Sequence, residues 1–385
     1  MIRRPVRIFD AFTSGMNSLG TFWVFCLMFL ICADIIGRYF FNYPIRGVSE
    51  IIGYSIVTAV FLQFANTLNA GRFTRAELLI AWLEKRRPTA GYSFLALFNL
   101  LGAAAFGFIT YGTYPKFVDA WTENEVTGVP GEFTFIIWPF LAIIVLGAAA
   151  TTVEFIIQFL TVAWQAIETL LRRKKEERTG WPAPASFVVF VALAGWIAIG
   201  DLSNIEIGLL SIVCMLVFIY CGMHIGVALM TLGFLGIWLI RGDPALSIRV
   251  LSRASTEYLN SYFFGVVPLF VLMGLLVSVS DVGKETFEVA RWALRRIKGG
   301  LGVATVVANA IFASITGSSI ASAAVFTKIA TPEMLRHGYT PRFSVGVVAG
   351  SSVLGMLIPP SLLLILYGIL SETSIGDLFI AGIIP

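Results

Sequence analysis

The chain has 385 residues, 57% hydrophobic and 13% charged, with a formal net charge of +4. A soluble domain carries about 25% charged residues, so a mean hydropathy of +0.85 and apolar runs from end to end exclude a soluble globule and indicate a multi-span membrane protein. No Walker-type G-x-x-x-x-G-K-[ST], G-x-S-x-G or H-E-x-x-H is present, which excludes ATPases and hydrolases of those types.

In chain order, the opening "MIRRPVRIFDAFTSG" lacks an A-x-A site and runs into a span-length apolar segment, so it reads as a retained anchor rather than a cleaved signal peptide. Spans are predicted at about 18–37, 47–70, 91–114 and 134–165. Basic residues flank the first span, follow the second (Arg72, Arg75, Lys85, Arg86, Arg87) and follow the fourth ("RRKKEER", 172–178). The connection after the third span is acidic. Positive residues stay in the cytoplasm, so the N-terminus and Lys175 are expected inside and Glu125 outside, with Arg38 and Arg46 a mild violation. "TRAELLIAWLEK" is expected to lie in the membrane interface.

"EERTGWPAPAS" (176–186) is the best linker, and one more span is expected at about 186–200. Spans at about 205–222 and 224–240 follow, then a polar stretch and a span over "YFFGVVPLFVLMGLLVSVS". "DVGKETFEVARWALRRIKGG" is amphipathic, with Phe287, Ala290, Leu294 and Ile297 spaced as one helix face and Arg291, Arg295, Arg296 and Lys298 placing it inside. Cys26, Cys32, Cys214 and Cys221 lie in apolar runs and read as buried thiols. His224 at a helix junction and His337 in a polar loop read as packing or surface residues. Asp34 and Glu50, near span ends, read as interfacial packing or capping groups.

Two interruptions carry the functional signal. "SITGSSIASAA" (314–324) is small, hydroxyl-rich and broken by Gly317. It divides apolar stretches of about twelve and eleven residues, each too short for a hydrocarbon core of about 30 Å. The flanks carry Lys298 on one side and Arg336 and Arg342 on the other, so both prefer the cytoplasm. Both ends on one side predict a re-entrant helical hairpin with "SITGSS" at its tip. The second interruption, "GMLIPPS" (355–361), puts Pro359 and Pro360 inside an apolar run, which leaves carbonyls a turn earlier without donors. Irregular backbone at membrane depth is tolerated where it lines a cavity, and paired breaks are the signature of a secondary-transporter site.

"PLFVLMGLLVSVSDVG", "GGLGVATVVANAIFASITGSSIASAA" and "MLRHGYTPRFSVGVVAGSSVLGMLIPPSLLLILYGILSETSIGDLFIAGIIP" strongly resemble the large membrane subunit of tripartite ATP-independent periplasmic (TRAP) transporters. Residues about 204–385 are similar to the first half of that subunit. Residues about 10–175 resemble the small membrane subunit, through "ADIIGRYFFNYPIRGVSEIIGYS" with Asp34, Arg38, Tyr39, Phe40, Ser49 and Glu50. "GRFTRAELL" departs from that subunit's pattern, with Arg72 near a usual His and Glu77 where Asp is common. The resemblance implies an all-α multi-span bundle with a re-entrant hairpin and a Pro-broken helix, the first half of an inverted-repeat elevator. Its expected parts are a small-subunit scaffold over 1–175, a linker with one crossing over 176–203, and half of a large permease over 204–385.

The same resemblance implies Na⁺-driven uptake of an organic acid delivered by a periplasmic binding protein, in the bacterial inner membrane. By motif match, Na⁺ would be held by Thr316, Ser318 and Ser319 at the tip and by Gly355, Ile358 and Pro360 at the break. Ser314, Gly317 and Ser361 would border the substrate cavity. Na⁺ is the only cofactor expected, as coupling ion. The expected partners are the binding protein, membrane lipid and the second inverted repeat of the large subunit, with no nucleic acid. The chain is expected to be a fragment, a split gene product or a truncation. The competing readings are a binding-protein-independent sodium/dicarboxylate symporter, which needs no four-span N-terminal module, and a non-transporting scaffold. A membrane enzyme is disfavoured, because no intramembrane acid–base pair is evident.

Overall fold

The computed structural model describes residues 3–86, 88–129, 131, 133–173, 203–257, 260 and 262–383. The span expected at 186–200, the linker and Lys175 lie outside them. The chain divides into two compact units, residues 1–261 and 262–385.

The first unit is built on α1 (Arg3–Phe41), α2 (Val48–Asn69), α3 (Leu78–Arg86), α4 (Pro88–Thr122) and α5 (Trp138–Arg173). The four long helices match the four spans expected there, except that the fourth starts at Trp138 because Phe133–Ile136 is a strand, and all four are long and apolar enough to cross a membrane. α2 is the most enclosed, with Ile52, Ala59, Phe61 and Ala65 almost wholly buried between α1 and α5. Gly102 on α4 and Gly147 on α5 permit close approach: a β-carbon on the first would meet the Phe155 ring at 2.6 Å and on the second the Phe61 carbonyl at 2.4 Å. The acidic connection folds as a two-stranded hairpin, β1 (Val126–Val129) and β2 (Phe133–Ile136), with Val126 opposite Ile136. The segment expected in the interface is an irregular stretch ending in the short α3.

Arg38 is paired with the buried Asp34. Its Oδ2 accepts from Arg38 Nε at 2.8 Å and its Oδ1 from the Ile45 amide at 3.0 Å, so it ties the α1–α2 loop to α1. Glu50 accepts from Ser49 Oγ at 2.7 Å in the first turn of α2, where a carboxylate suits the helix dipole.

The first unit continues through α6 (Asn204–Tyr220), α7 (Ile225–Arg241) and α8 (Pro244–Glu257). A capping box of Ser203 and Glu206 starts α6. These helices pack on the N-terminal ones: the Phe108 and Phe234 rings stack at 4.7 Å, and Thr74 accepts the Ile225 amide at 3.2 Å. His224 is buried against Phe73 and Phe155, with ring centroids at 5.6 and 6.1 Å. The packing role read for it therefore holds.

The reading of the cysteines as buried is corrected. Cys26 and Cys32 are exposed and Cys214 and Cys221 half-buried. An apolar run in a membrane helix faces lipid as readily as a protein core, so hydropathy alone does not assign burial.

The second unit comprises α9 (Tyr262–Val279), α10 (Val282–Ala293), α11 (Gly300–Thr316), α12 (Ser319–Arg336), α13 (Pro341–Ser352), α14 (Leu354–Leu357), α15 (Leu362–Ser371) and α16 (Ile375–Ala381). α9 and α10 meet at a 63° bend. The amphipathic face of α10 is shorter than its sequence suggests. Phe287 and Ala290 are buried, but the helix ends before Leu294. Without a helix to hold it on that face, Ile297 is 51% exposed. Arg291 Nη1 lies 2.6 Å from Glu333 Oε1, joining α10 to α12. The core joins Phe287, Ala304, Ala308, Phe312, Phe326 and Val348.

α11 and α12 form an antiparallel hairpin. Phe312 faces Phe326 with ring centroids at 5.6 Å, and Thr305 Oγ1, which donates to Leu301 O, lies 3.6 Å from Met334 Sδ. The pair farther from Gly317 on α11 is also farther from it on α12, as two antiparallel helices leaving one turn require. The helices have 17 and 18 residues, longer than the apolar stretches alone. At 1.5 Å per residue each is still about 25 Å, short of a bilayer core.

Candidate ion and substrate site between the hairpin tip and the broken helix

Each break has a local cause. α11 stops at Gly317, which takes φ +58° as C-cap, a conformation that favours glycine. Ser318 is extended, and its Oγ accepts the Ala321 amide at 3.5 Å to start α12. The second break begins when Ile358 turns extended, at φ −75° and ψ 123°, because neither Pro359 nor Pro360 has an N–H to continue the ladder. Ser361 is extended too and precedes α15.

The two breaks touch. A β-carbon on Gly355 would meet the Ser318 carbonyl carbon at 3.0 Å, its oxygen at 3.2 Å and the Ser319 nitrogen at 3.2 Å. One on Gly317 would meet the Pro360 oxygen at 3.0 Å. The Gly317 carbonyl accepts the Leu362 amide at 3.4 Å. On the other side of the tip, Gly274 of α9 approaches the Thr316 oxygen, its β-carbon position lying 3.3 Å away.

These contacts bring together Gly317, Ser318, Ser319, Gly355 and Pro360, with Thr316 and Ile358 next to them in the chain. Ser361 is fully buried, and its Oγ donates to the Met356 carbonyl at 2.6 Å. Ser314 is not drawn in: its Oγ donates to Ile311 O of its own helix at 2.7 Å.

The oxygens differ in what they still offer. Of the carbonyls deprived of donors by the prolines, Met356 O is taken by Ser361 Oγ, while Gly355 O faces the missing N–H of Pro359. Ile358 is itself extended, so its carbonyl has no helical donor, and the Leu362 amide points to Gly317. Thr316 Oγ1 gives its proton to Phe312 O at 3.1 Å and keeps its lone pairs. Two helix N-termini, of α12 and α15, and two C-termini, of α11 and α14, converge here. Amide ends favour anions and carbonyl ends favour cations. The donors are neutral oxygens, which suits a monovalent hard cation.

Sequence reasoning missed Asn309. It is fully buried, its Nδ2 donates to Ser351 Oγ at 2.7 Å, and its Oδ1 has no partner among the described residues. Ser322 Oγ on α12 is likewise buried without a partner. An amide inside the apolar "VVANAIF" was the available signal.

A multi-span helical chain whose hairpin tip packs on a proline-broken helix belongs to the membrane permeases built on discontinuous helices. Residues 212–385 match the family model of the tripartite ATP-independent periplasmic transporter, DctM component, and residues 27–163 that of the DctQ component. The chain belongs to the TRAP transporter family, with small- and large-permease regions fused in one polypeptide. The C4-dicarboxylate TRAP transporter large permease protein DctM of Pseudomonas aeruginosa is 37% identical over 139 residues, 36% of this chain and 33% of that protein. The isethionate TRAP transporter permease protein DctMQ of Oleidesulfovibrio alaskensis is 25% identical over 259 residues, 58% of this chain and 41% of that protein. The ectoine TRAP transporter large permease protein TeaC of Halomonas elongata is 38% identical over 119 residues, 31% of this chain and 28% of that protein. The chain thus spans between 28% and 41% of the length of these relatives.

Proposed function

We propose that this chain forms the membrane scaffold and the first transport-domain half of a Na⁺-driven importer of an organic acid. A periplasmic binding protein delivers the substrate, and a second inverted repeat completes the cavity. The hairpin is re-entrant from the cytoplasmic side, the N-terminus is cytoplasmic in an inner membrane, and the transport domain moves as an elevator against the scaffold. The match of residues 27–163 to a small permease component supports the binding-protein-dependent reading over a stand-alone symporter.

One observation carries the ion site: Gly355 lies against the Ser318–Ser319 peptide. That contact sets Gly355 against the tip backbone, and Pro360 O lies near Gly317, which supports a shared ion site made by oxygens of Thr316, Ser318, Ser319, Gly355, Ile358 and Pro360. Na⁺ is held by these oxygens and links hairpin to broken helix, so ion binding closes the tip. The α12 and α15 N-termini then face the carboxylate of the substrate, with Gly317 and Ser361 lining that side. Ser314 is set back from it.

The test is uptake into proteoliposomes by the permease completed with the second repeat, plus its binding protein. Uptake should require a Na⁺ gradient and the binding protein together. Ser318→Ala should raise the Na⁺ concentration for half-maximal uptake while docking of the binding protein is unchanged. Uptake that is indifferent to Na⁺, or an unaltered Na⁺ requirement in well-assembled Ser318→Ala, would refute the assignment.

A further inference from the structure

A second polar cavity lies in the first unit, away from the hairpin, between α4 and α8. Its volume is about 360 Å³, and its walls include Thr113, Lys116, Arg249, Ser252, Arg253 and Thr256. Gly112 lets the helices meet: a β-carbon there would come within 2.7 Å of Ser252 Oγ. No carboxylate lines the cavity among the described residues.

The charges around it do not cancel. Lys116 Nζ and Arg253 Nε share one oxygen of Glu257, at 3.1 and 3.2 Å. Arg249 Nη2 reaches Asp243 only at 3.7 Å. Three cations thus face two carboxylates, leaving one positive charge in excess.

The hydroxyls make a sharper point. Ser252 Oγ donates to Arg249 O and Thr256 Oγ1 to Ser252 O, so both protons are spent inside α8. Thr113 is 2% exposed, and its Oγ1 has no partner among the described residues. One turn earlier, Thr110 Oγ1 bonds back to Phe106 O at 2.9 Å in the usual way. Thr113 lines the cationic cavity, and its buried, unpartnered hydroxyl can donate to an anion bound there.

The location selects the ligand. The cavity lies toward the Thr122 end of α4, a helix long and apolar enough to span a membrane. Tyr111, Tyr114 and Trp121 are exposed around that end, as aromatic side chains are at a membrane–water interface. An anion held there lies at headgroup depth, beside surface that acyl chains cover.

We propose that this cavity binds the phosphodiester headgroup of an anionic phospholipid, with Lys116 and Arg249 as charge partners and Thr113 Oγ1 as a hydrogen-bond donor. A basic cavity between membrane helices is a recurrent way to hold such headgroups. The site is separate from the ion site and does not depend on it.

The test is native mass spectrometry of the full chain released from nanodiscs of phosphatidylcholine with a minor share of phosphatidylglycerol. The wild type should retain phosphatidylglycerol. Lys116→Gln/Arg249→Gln should retain about tenfold less, from the loss of two charges near the headgroup. Both carboxylates stay engaged in that variant, Glu257 by Arg253 and Asp243 by the Ala245 amide. Thr113→Val, nearly isosteric and less disruptive, should lose about threefold through one hydrogen bond. Excess inorganic phosphate should not displace the lipid. Equal retention by the folded variants, or full displacement by inorganic phosphate, would overturn the proposal.

Discussion

The carbonyl of Gly317, at the hairpin tip, accepts the amide of Leu362, the first residue of the helix that resumes after the proline break. One backbone bond therefore couples two interruptions that lie some forty residues apart in sequence. Leu362→Pro removes that N–H together with the leucine side chain. Proline is tolerated at the first helical position, and Ser361 already has the extended conformation, ψ 134°, that a following proline demands. Leu362→Ala keeps the N–H and controls for the lost side chain. Leu362→Pro is expected to be less stable than Leu362→Ala by about 1 kcal/mol and to raise the Na⁺ requirement for uptake, as read by thermal melts and flux. Equal melts would show that the bond contributes nothing.

At the break, the two prolines are not equivalent. Pro360→Ala offers an N–H to Met356 O, which Ser361 Oγ already occupies. Pro359→Ala offers one to Gly355 O, a carbonyl proposed for Na⁺. Pro359→Ala should therefore raise the Na⁺ concentration for half-maximal uptake more than Pro360→Ala does. The reverse order would move the ion away from Gly355.

In the scaffold, Asp34→Ala should cost about 2 kcal/mol, because the Ile45 amide and the Arg38 guanidinium both lose their acceptor. Arg38 is half exposed, and water recovers part of its loss. Asp34→Asn keeps an oxygen for Ile45 and should fall about midway. Chemical unfolding in detergent gives the comparison.

The span positions were legible because twenty-residue apolar runs have one structural meaning, and the two breaks because Gly317 and Pro359–Pro360 contradict their surroundings. What the sequence withheld was contact. Nothing in "GMLIPPS" says that Ser361 consumes the Met356 carbonyl, or that the Leu362 amide turns to Gly317. Burial was misread for Cys26 and Cys32, since lipid and protein core favour the same side chains. Ile297 was misplaced because the face of α10 was extended past its last hydrogen bond. Asn309 was overlooked because a single amide leaves no periodic trace.

Asn309 and Ser351 allow a clean measurement of coupling. Ser351→Ala strands the Asn309 amide beside an oxygen that already lacks a partner, and should cost about 2 kcal/mol. Asn309→Ala adds a cavity to the lost bond. The double variant should be less destabilised than the sum of the two by about 1 kcal/mol, since residues in one hydrogen-bond network are not additive. Strict additivity, measured by unfolding in detergent, would mean that the 2.7 Å contact carries no net energy.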